Sequence, residues 1–235
     1  MLFRAFIVTL FLAGAGSNVD ARNDDPLEPI NRPLFVVNDV IDRTVLKPVA
    51  RSYERVVPQP AKSGVSNFFA NLMDVTRSLN SLLQWRLGEA GTNVSRVALN
   101  STLGMFGLFD VASDMGIERE RTDFGQTLAV WGVPEGPYIM VPLIGPRTLR
   151  SGTGTVFDTL ASPTAQVDQV AVRNSMFFLE LISFRARLLE SDQLISGDRY
   201  IFVRDAYLQQ RRSFISGGEI QDDFSDYEDD WAEEF

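Results

Sequence analysis

The chain has 235 residues and contains neither cysteine nor histidine, which excludes thiol nucleophiles, Ser–His dyads and zinc sites built from the usual ligands. No Gly-x-Ser-x-Gly elbow and no phosphate-binding Gly-x-x-x-x-Gly-Lys loop occurs, and no pair of carboxylates is singled out for acid–base work. The net charge is −9 and no basic patch is visible, which makes nucleic acid a poor partner. We therefore expect a protein that is not an enzyme and that uses no cofactor or metal.

The N-terminal residues predict export from the cytoplasm. Arg4 precedes the uncharged stretch 5–13, which is much shorter than the roughly 20 apolar residues of a membrane-spanning helix. Small residues follow, and the pattern suits a signal peptide over residues 1–21 that is cleaved after Ala15 or after Ala21. The alternative is a buried N-terminal strand.

Helical periodicity dominates the first half of the chain. Residues 31–57 form a predicted helix with Asn31 as N-cap and with Pro48 bending or ending it. Residues 61–85 carry apolar side chains at steps of three and four, among them Phe68, Phe69 and Leu72. The stretch "RLGEAG" is expected to break this pattern, and further helices are predicted at 93–103 and at 122–131.

Residues 133–150, "VPEGPYIMVPLIGPRTLR", are apolar but contain four prolines. Proline removes a backbone donor and biases the preceding residue towards extended geometry, so a regular helix is excluded. The stretch predicts an extended, hairpin-like apolar loop. A loop of this composition is expected either to be buried or to touch something apolar.

The second half of the chain is again helical. A weak helix is predicted at 146–160 and the strongest one at 166–190, with a broad apolar face that includes Phe177, Phe178, Leu181 and Ile182. Such a face is either core or a lipid-facing surface. A last helix is expected at 198–215, ended by two glycines. Almost no strand pattern is present, so the fold class is mostly α, with a helical domain over residues 22–218.

The excess of negative charge lies in the last 17 residues, 219–235, which contain nine acidic side chains and no lysine or arginine. Like charges at this density repel each other and favour a disordered tail. Aromatic residues interrupt the tail, so it either docks on a basic partner surface or keeps the protein soluble.

Six sequence blocks together resemble one family. They are "DDPLEPINR", "VVPQPAKSGVSNFFANL", "ALNSTLGMFGLFDVAS", "DFGQTLAVWGV", "GPYIMVPLIGPRTLR" and "YIFVRDAYLQQR". In this order, and over roughly residues 24–218, they resemble the MlaA/VacJ family of outer-membrane phospholipid-transport lipoproteins.

The resemblance implies a single ring-like helical domain that lies in the inner leaflet of the outer membrane, beside a trimeric porin. It also implies an amphipathic channel that takes mislocalised phospholipid from the outer leaflet and passes it to a periplasmic lipid-carrier protein. The alternative is a scaffold that stays bound to a porin and moves no lipid. A domain in a leaflet must be apolar outside while its polar groups remain satisfied or face water.

The resemblance also assigns roles to residues. The matched loop forms a hairpin near the channel in the family, which identifies a gate loop here; its residues are Gly136, Pro137, Tyr138, Pro142, Gly145, Pro146 and Arg150. The alternative is an ordinary buried loop. Asp25, Glu28 and Arg32 are expected to cap or salt-bridge a helix rather than to touch lipid. Family members often have an acidic residue where this chain has Ser151, which puts any ion pair of that residue in doubt.

The N-terminus departs from the family pattern. Members usually carry a lipidated cysteine after a Leu-Ala-Gly box, and this chain has Ala15 at that place. We therefore expect no covalent lipid anchor. The protein would lie on the periplasmic side of the outer membrane, held there by its apolar surface and its partners.

Overall fold

The computed structural model describes residues 25–194 and 197–217. Helices make up most of this part of the chain, which confirms the predicted mostly-α class. The helices are α1 (Glu28–Ile41), α2 (Lys47–Val56), α3 (Gln59–Leu83), α4 (Leu87–Thr102), α5 (Val111–Asp114), α6 (Phe124–Val130), α7 (Leu149–Ala161), α8 (Val170–Arg187) and α9 (Arg199–Ile215). Two short antiparallel strands, β1 (Tyr138–Val141) and β2 (Gly145–Thr148), form a hairpin.

The first predicted helix begins earlier than its sequence suggested. The Asp25 carboxylate accepts a hydrogen bond of 3.0 Å from the Leu27 backbone N–H, and α1 starts at Glu28. The prediction of Asn31 as N-cap is therefore wrong, because Asn31 lies inside the helix and is buried. A π-helical turn at Asp42–Leu46 connects α1 to α2. Pro48 lies in the first turn of α2, so the predicted irregularity occurs just before it.

Other boundaries differ by a few residues. The predicted break at "RLGEAG" is shorter than expected, because Trp85 turns the chain at a φ of 61° and α4 already begins at Leu87. Close packing does not require its glycines, since nothing lies within 4 Å of a Cβ built on Gly88 or Gly91. Asp123 caps α6 by accepting a 2.8 Å hydrogen bond from the Gln126 backbone N–H.

Helix α4 packs along α3 and α5 packs on α4, and the remaining helices and strands of residues 25–194 follow one another in a closed order of neighbours. Helix α1 packs on β1, β2 on α7, α7 on α6, and α6 on α3. Helix α3 then packs on α8, α8 on α2, and α2 returns to α1 through the π turn. The hairpin is thus one member of the circuit. This order of neighbours is compatible with the ring-like arrangement that the resemblance implies.

The distribution of polarity is the reverse of that in a water-soluble domain. Among the described residues, 20 polar or charged side chains are buried, against nine apolar ones. Large apolar side chains lie outside instead, including Val36, Val40, Leu82 and Phe178. Soluble proteins bury their aliphatic residues and keep Asp and Arg outside. The exterior of this fold therefore suits an apolar surrounding better than water.

The described residues separate into two compact units, residues 25–194 and residues 197–217. The second unit consists of α9, whose first turn is capped by Asp198 through a 2.9 Å bond from the Tyr200 backbone N–H. Within the described part of the chain, no helix combines the length and the hydropathy that a membrane span requires. The predicted signal peptide (1–21) and acidic tail (219–235) lie outside the described residues.

Candidate functional site

The gate loop is a β-hairpin with an apolar tip. Its strands pair from Tyr138 opposite Thr148 to Val141 opposite Gly145. The three tip residues are exposed, namely Pro142, Leu143 and Ile144. Leu143 and Gly145 have positive φ values of 65° and 93°, as a tight three-residue connection requires. The predicted extended hairpin is thereby confirmed.

Two asparagines of α1, the asparagine pair Asn31 and Asn38, hold the hairpin. The Asn31 amide donates to the Tyr138 carbonyl at 3.0 Å and accepts from the Met140 N–H at 2.9 Å. The Asn38 amide donates to the Val141 carbonyl at 3.0 Å and accepts from the Leu143 N–H at 2.8 Å. The two residues are seven positions apart and so lie on one face of the helix. They occupy the edge of β1 that would otherwise expose unpaired backbone groups.

The other side of the hairpin continues into α7. The Thr148 and Ser151 side chains each accept a hydrogen bond from the other's backbone N–H and form a capping box. Ser151 thus has a structural role at the position where the ion pair was in doubt. The Arg150 guanidinium donates to the Val133 carbonyl at 2.9 Å, which ties the two ends of the gate loop together.

All seven predicted gate residues lie in the hairpin or directly beside it. Tyr138 and Arg150 are buried, Pro137, Gly145 and Pro146 are partly exposed, and Gly136 and Pro142 are exposed. Gly136 has a φ of 70°, and a Cβ there would lie 2.9 Å from the Leu149 Cβ. Glycine is required at that position for both reasons. Their role in gating stays a prediction.

The residues predicted as core or lipid-facing divide between both environments. Phe69 is buried, and Phe68 and Leu72 are partly exposed. Phe177 and Phe178, on α8, are each 56% exposed, and Leu181 and Ile182 are partly exposed. The broad apolar face of α8 therefore points outward at its centre.

A cleft of about 380 Å³ opens between α3, α6 and α7. Most of its wall is apolar, and Phe124 stacks on Phe157 with ring centroids 4.6 Å apart. Its polar groups come from three side chains; the full lining is Thr76, Leu79, Asn80, Leu82, Leu83, Phe124, Phe157, Asp158 and Ala161. The exposed surface of the cleft is thus almost entirely apolar, and two of its polar side chains, Asn80 and Asp158, take part in hydrogen bonds between the helices.

A chain of hydrogen bonds joins the helices that form the cleft. Gln84 donates to Thr127 Oγ1 at 2.9 Å, Thr127 Oγ1 donates to Asn80 Oδ1 at 2.9 Å, and Asn80 donates to Asp158 Oδ1 at 2.7 Å. The second oxygen of Asp158 accepts from the Phe124 N–H at 2.9 Å. These bonds join α3, α6 and α7 through polar contacts, which is how helices associate when the surroundings are apolar.

An ionic cluster lies between α3, α4 and α5. The fully buried Asp74 carboxylate accepts from Arg77 at 2.6 Å, Arg119 at 3.1 Å and Arg96 at 3.4 Å. Asp110 pairs with Arg96 at 2.6 Å and with Arg119 at 3.3 Å. Burial acts to raise the pKa of Asp110, but the hydrogen bonds of Ser113 and Asn100 and the charges of both arginines outweigh burial, so this pKa is lowered.

A second ionic cluster joins α8 to the π turn. The Arg185 guanidinium makes two bonds to Asp42, of 2.6 and 2.9 Å, and pairs with Asp192 at 2.9 Å. Lys47 pairs with the same Asp192 at 2.6 Å. The hydrogen bonds that Arg185 donates to Asp42 raise the pKa of Arg185, and burial only partly offsets this effect.

Sequence reasoning missed most of these polar residues. Asp74 and Arg96 lie within helices that were predicted from the spacing of their apolar residues. Only the presence of a charged residue on the buried face would have indicated them. Asn71, Asp74, Ser78 and Ser81 do recur at steps of three and four, which is a polar stripe on the buried face. Among the described residues, no group of carboxylates is placed to hold a metal ion.

Comparison with known proteins settles the family. The family model described as "MlaA lipoprotein" matches residues 23–214. The chain belongs to the MlaA lipoprotein family. This confirms the resemblance that the six sequence blocks predicted.

Named relatives align with most of this MlaA-family chain. The protein called "Intermembrane phospholipid transport system lipoprotein MlaA" in Shigella flexneri is 38% identical over 220 residues, which are 91% of this chain and 87% of the relative. The protein of the same name in Escherichia coli (strain K12) is 37% identical over the same shares of both chains.

A solved structure is similar as well. It is described as "Structural basis for maintenance of bacterial outer membrane lipid asymmetry", and it matches with a TM-score of 0.72 and 40% identity. The match covers 82% of this chain and 99% of the solved one. The helical arrangement described above is therefore that of the MlaA family.

Proposed function

We propose that this protein is a component of intermembrane phospholipid transport at the outer membrane. It takes mislocalised phospholipid from the outer leaflet through an amphipathic path and passes it to a periplasmic carrier. The relatives named above are phospholipid-transport lipoproteins, and the similar structure concerns outer-membrane lipid asymmetry. The process involves no covalent chemistry, so the protein acts as a conduit and not as an enzyme.

The observation that carries the proposal is the reversed polarity of the fold. Exposed Phe, Leu, Ile and Val side chains surround an interior of buried amides, hydroxyls and ion pairs. A phospholipid needs a polar lining for its head group while its tails remain in an apolar phase. A domain that is apolar outside and polar inside supplies both at once.

Within this function, the hairpin is the gate of the lipid path. Its apolar tip, residues 142–144, is exposed, while its β1 edge is fixed by the asparagine pair. A polar tip would not enter a lipid environment, so Leu143→Asp is expected to abolish lipid movement while the fold persists. The readout is the amount of phospholipid in the outer leaflet of cells that carry the variant. Val56→Asp, an exposed apolar position on α2, is the matched control.

A trimeric porin and a soluble periplasmic carrier complete the proposed route, with the protein on the periplasmic face of the outer membrane. The exposed apolar surface anchors the protein in the leaflet. The intact mass of the protein isolated from membranes measures both the cleavage site and any attached lipid. A mass increment of a diacylglyceryl group would contradict the expectation that no covalent anchor is present.

The decisive experiment is lipid analysis of the purified protein together with a gene deletion. We expect co-purified phospholipid, and we expect phospholipid to accumulate in the outer leaflet after deletion. Protein that is free of lipid and fails to bind vesicles would contradict the proposal. Unchanged outer-leaflet phospholipid after deletion would favour the porin-bound scaffold instead.

A further inference from the structure

The ionic cluster around Asp74 holds more positive than negative charge. Three guanidinium groups contact two carboxylates, those of Asp74 and Asp110. Arginine remains protonated at any physiological pH, so one positive charge is left without a carboxylate. Arg96 is fully buried and pairs with both carboxylates, as buried charges normally do, so the excess charge falls on the partly exposed Arg77 and Arg119.

A fourth arginine adds to this excess. Arg121 is exposed and makes no ion pair with any residue that the structure describes. Burial lowers the pKa of Arg77 and Asp74 opposes that effect, while the like charges of Arg119 and Arg121 lower the pKa further. Arg121 follows Arg119 by two positions, so the Cα atoms of the two residues lie within about 7 Å of each other, and Arg119 in turn contacts the same carboxylate as Arg77. Glu118 and Glu120 flank Arg119 in sequence, but among the described residues neither forms an ion pair with Arg77, Arg119 or Arg121.

The cluster is also open to a ligand. The Arg77 and Arg119 side chains are 19% and 24% exposed, whereas Asp74 and Arg96 are fully buried. Because both accessible arginines donate to one carboxylate, they are fixed next to each other. Arginine binds phosphate through parallel N–H donors, and a partly desolvated site strengthens that interaction.

We propose that Arg77, Arg119 and Arg121 form a binding site for the phosphate of a phospholipid head group as the lipid passes through the domain. This inference rests on the proposed function, since it is the lipid path that brings a phosphodiester to a polar interior. Asp74 positions two of the three arginines, and Arg96 holds Asp74 and Asp110 in place. The occupant is a lipid phosphate and not free phosphate, because the surrounding fold exposes apolar side chains.

The test measures binding of dihexanoyl-phosphatidylglycerol by the full chain in a nonionic detergent, read by native mass spectrometry. Arg121→Gln removes one charge-assisted contact and no structural ion pair, so affinity should fall roughly tenfold. Arg77→Gln should act in the same direction. Arg55→Gln, an exposed arginine on α2, should bind as the unmodified chain does. Dihexanoylglycerol, which has the same chains and no phosphate, should bind equally to all four proteins.

The outcomes separate the possible failures. Equal lipid affinity of Arg121→Gln and the unmodified chain would overturn the site and leave the transport function standing. Failure of the unmodified chain to bind the lipid at all would count against both. Inorganic phosphate is titrated in parallel. If it binds as tightly as the lipid and with the same dependence on Arg121, the site is one for free phosphate and the lipid assignment is overturned. Arg121→Gln keeps the test valid even if Arg77→Gln does not fold.

Discussion

Single polar residues hold this fold together at the places where elements meet. Asn31 is 2% exposed, and its amide satisfies one backbone donor and one acceptor of β1. A buried amide of this kind stabilises mainly because its loss leaves its partners unsatisfied. The residues that matter most for the stability of this fold are therefore polar and buried, whereas in soluble proteins they are apolar and buried.

Asn31→Ala is expected to destabilise the protein by about 2–6 kcal/mol, since two buried backbone groups lose their partner at about 1–3 kcal/mol each. The change is measured from the urea midpoint of the protein in a nonionic detergent. Asn174 is exposed on α8, and Asn174→Ala should change stability by less than about 0.5 kcal/mol. Equal midpoints for the two variants would contradict the role of Asn31.

Glu180 gives a prediction about pH. Burial raises the pKa of this carboxyl on α8, and the charge of Arg187 only partly opposes the effect. A carboxyl with a raised folded-state pKa favours folding less as pH rises, because the folded state disfavours its ionised form. Glu180→Gln should therefore make the protein more stable than the unmodified chain at pH 7.

That gain should shrink as the pH falls from the raised folded-state pKa towards the ordinary pKa of a glutamate, about 4.3, and it should vanish below that value, where both states are protonated. The measurement is the thermal midpoint of both proteins between pH 7 and pH 4. Glu190→Gln, at an exposed position after α8, is the control. A gain at pH 7 that persists unchanged at pH 4 would show that the effect comes from packing and not from ionisation.

At the scale of the elements, helices approach each other through small residues and polar bonds. A Cβ built on Gly154 of α7 would lie 2.3 Å from the Gly125 backbone nitrogen of α6. The two helices thus touch backbone to backbone, and they can do so because Gly154 has no side chain. Close contacts between small residues, together with interhelical hydrogen bonds, are typical of helices that pack in lipid.

Gly154→Ala should separate α6 from α7 and destabilise the protein by about 1–3 kcal/mol, the usual cost of overpacking. Gly91→Ala on α4 is the matched helical glycine with open space around it. That variant should be neutral or stabilising by up to about 1 kcal/mol, because alanine favours a helix over glycine. Stability curves of the two variants that coincide would show that α6 and α7 are not in close contact.

At the scale of the whole molecule, the apolar exterior should place the described helices within the acyl region of a bilayer. Trp85 and Trp131 are 85% and 53% exposed and serve as natural probes. With Trp231→Phe in the tail, the fluorescence of the two remaining tryptophans should be quenched by vesicles with brominated acyl chains. Unbrominated vesicles give the reference intensity. Equal intensities in both preparations would contradict immersion of this surface.

The sequence predicted the helices and the hairpin because both depend on local chemistry. Residues 61–85 show their helix in the spacing of apolar side chains, and the four prolines of 133–150 exclude any helix there. The same local signals misplaced the start of α1. Asn31 looked as suitable an N-cap as Asp25, but it is Asp25 that accepts the hydrogen bond from the Leu27 backbone N–H.

The sequence predicted only the part of the candidate site whose residues are consecutive in the chain. The gate loop is one continuous segment, so its members were identified together. Its anchor was not, because Asn31 and Tyr138 are 107 positions apart and nothing local in α1 indicates which backbone its amide would bind. Arg96 was missed for the same reason, since its partners come from three separate segments.

Periodicity, prolines and conspicuous blocks are properties of neighbouring residues, so the class of elements, the proline-rich hairpin and the family could be predicted from the sequence alone. Which faces of the helices lie inside depends on contacts between distant parts of the chain. Helical spacing defines a polar and an apolar face on α3 and on α8, but it does not show which of the two faces is buried. The polar face of α3 is buried because its partners, Arg96, Asp158 and Thr127, come from other elements and satisfy it there. The apolar face is therefore left on the outside.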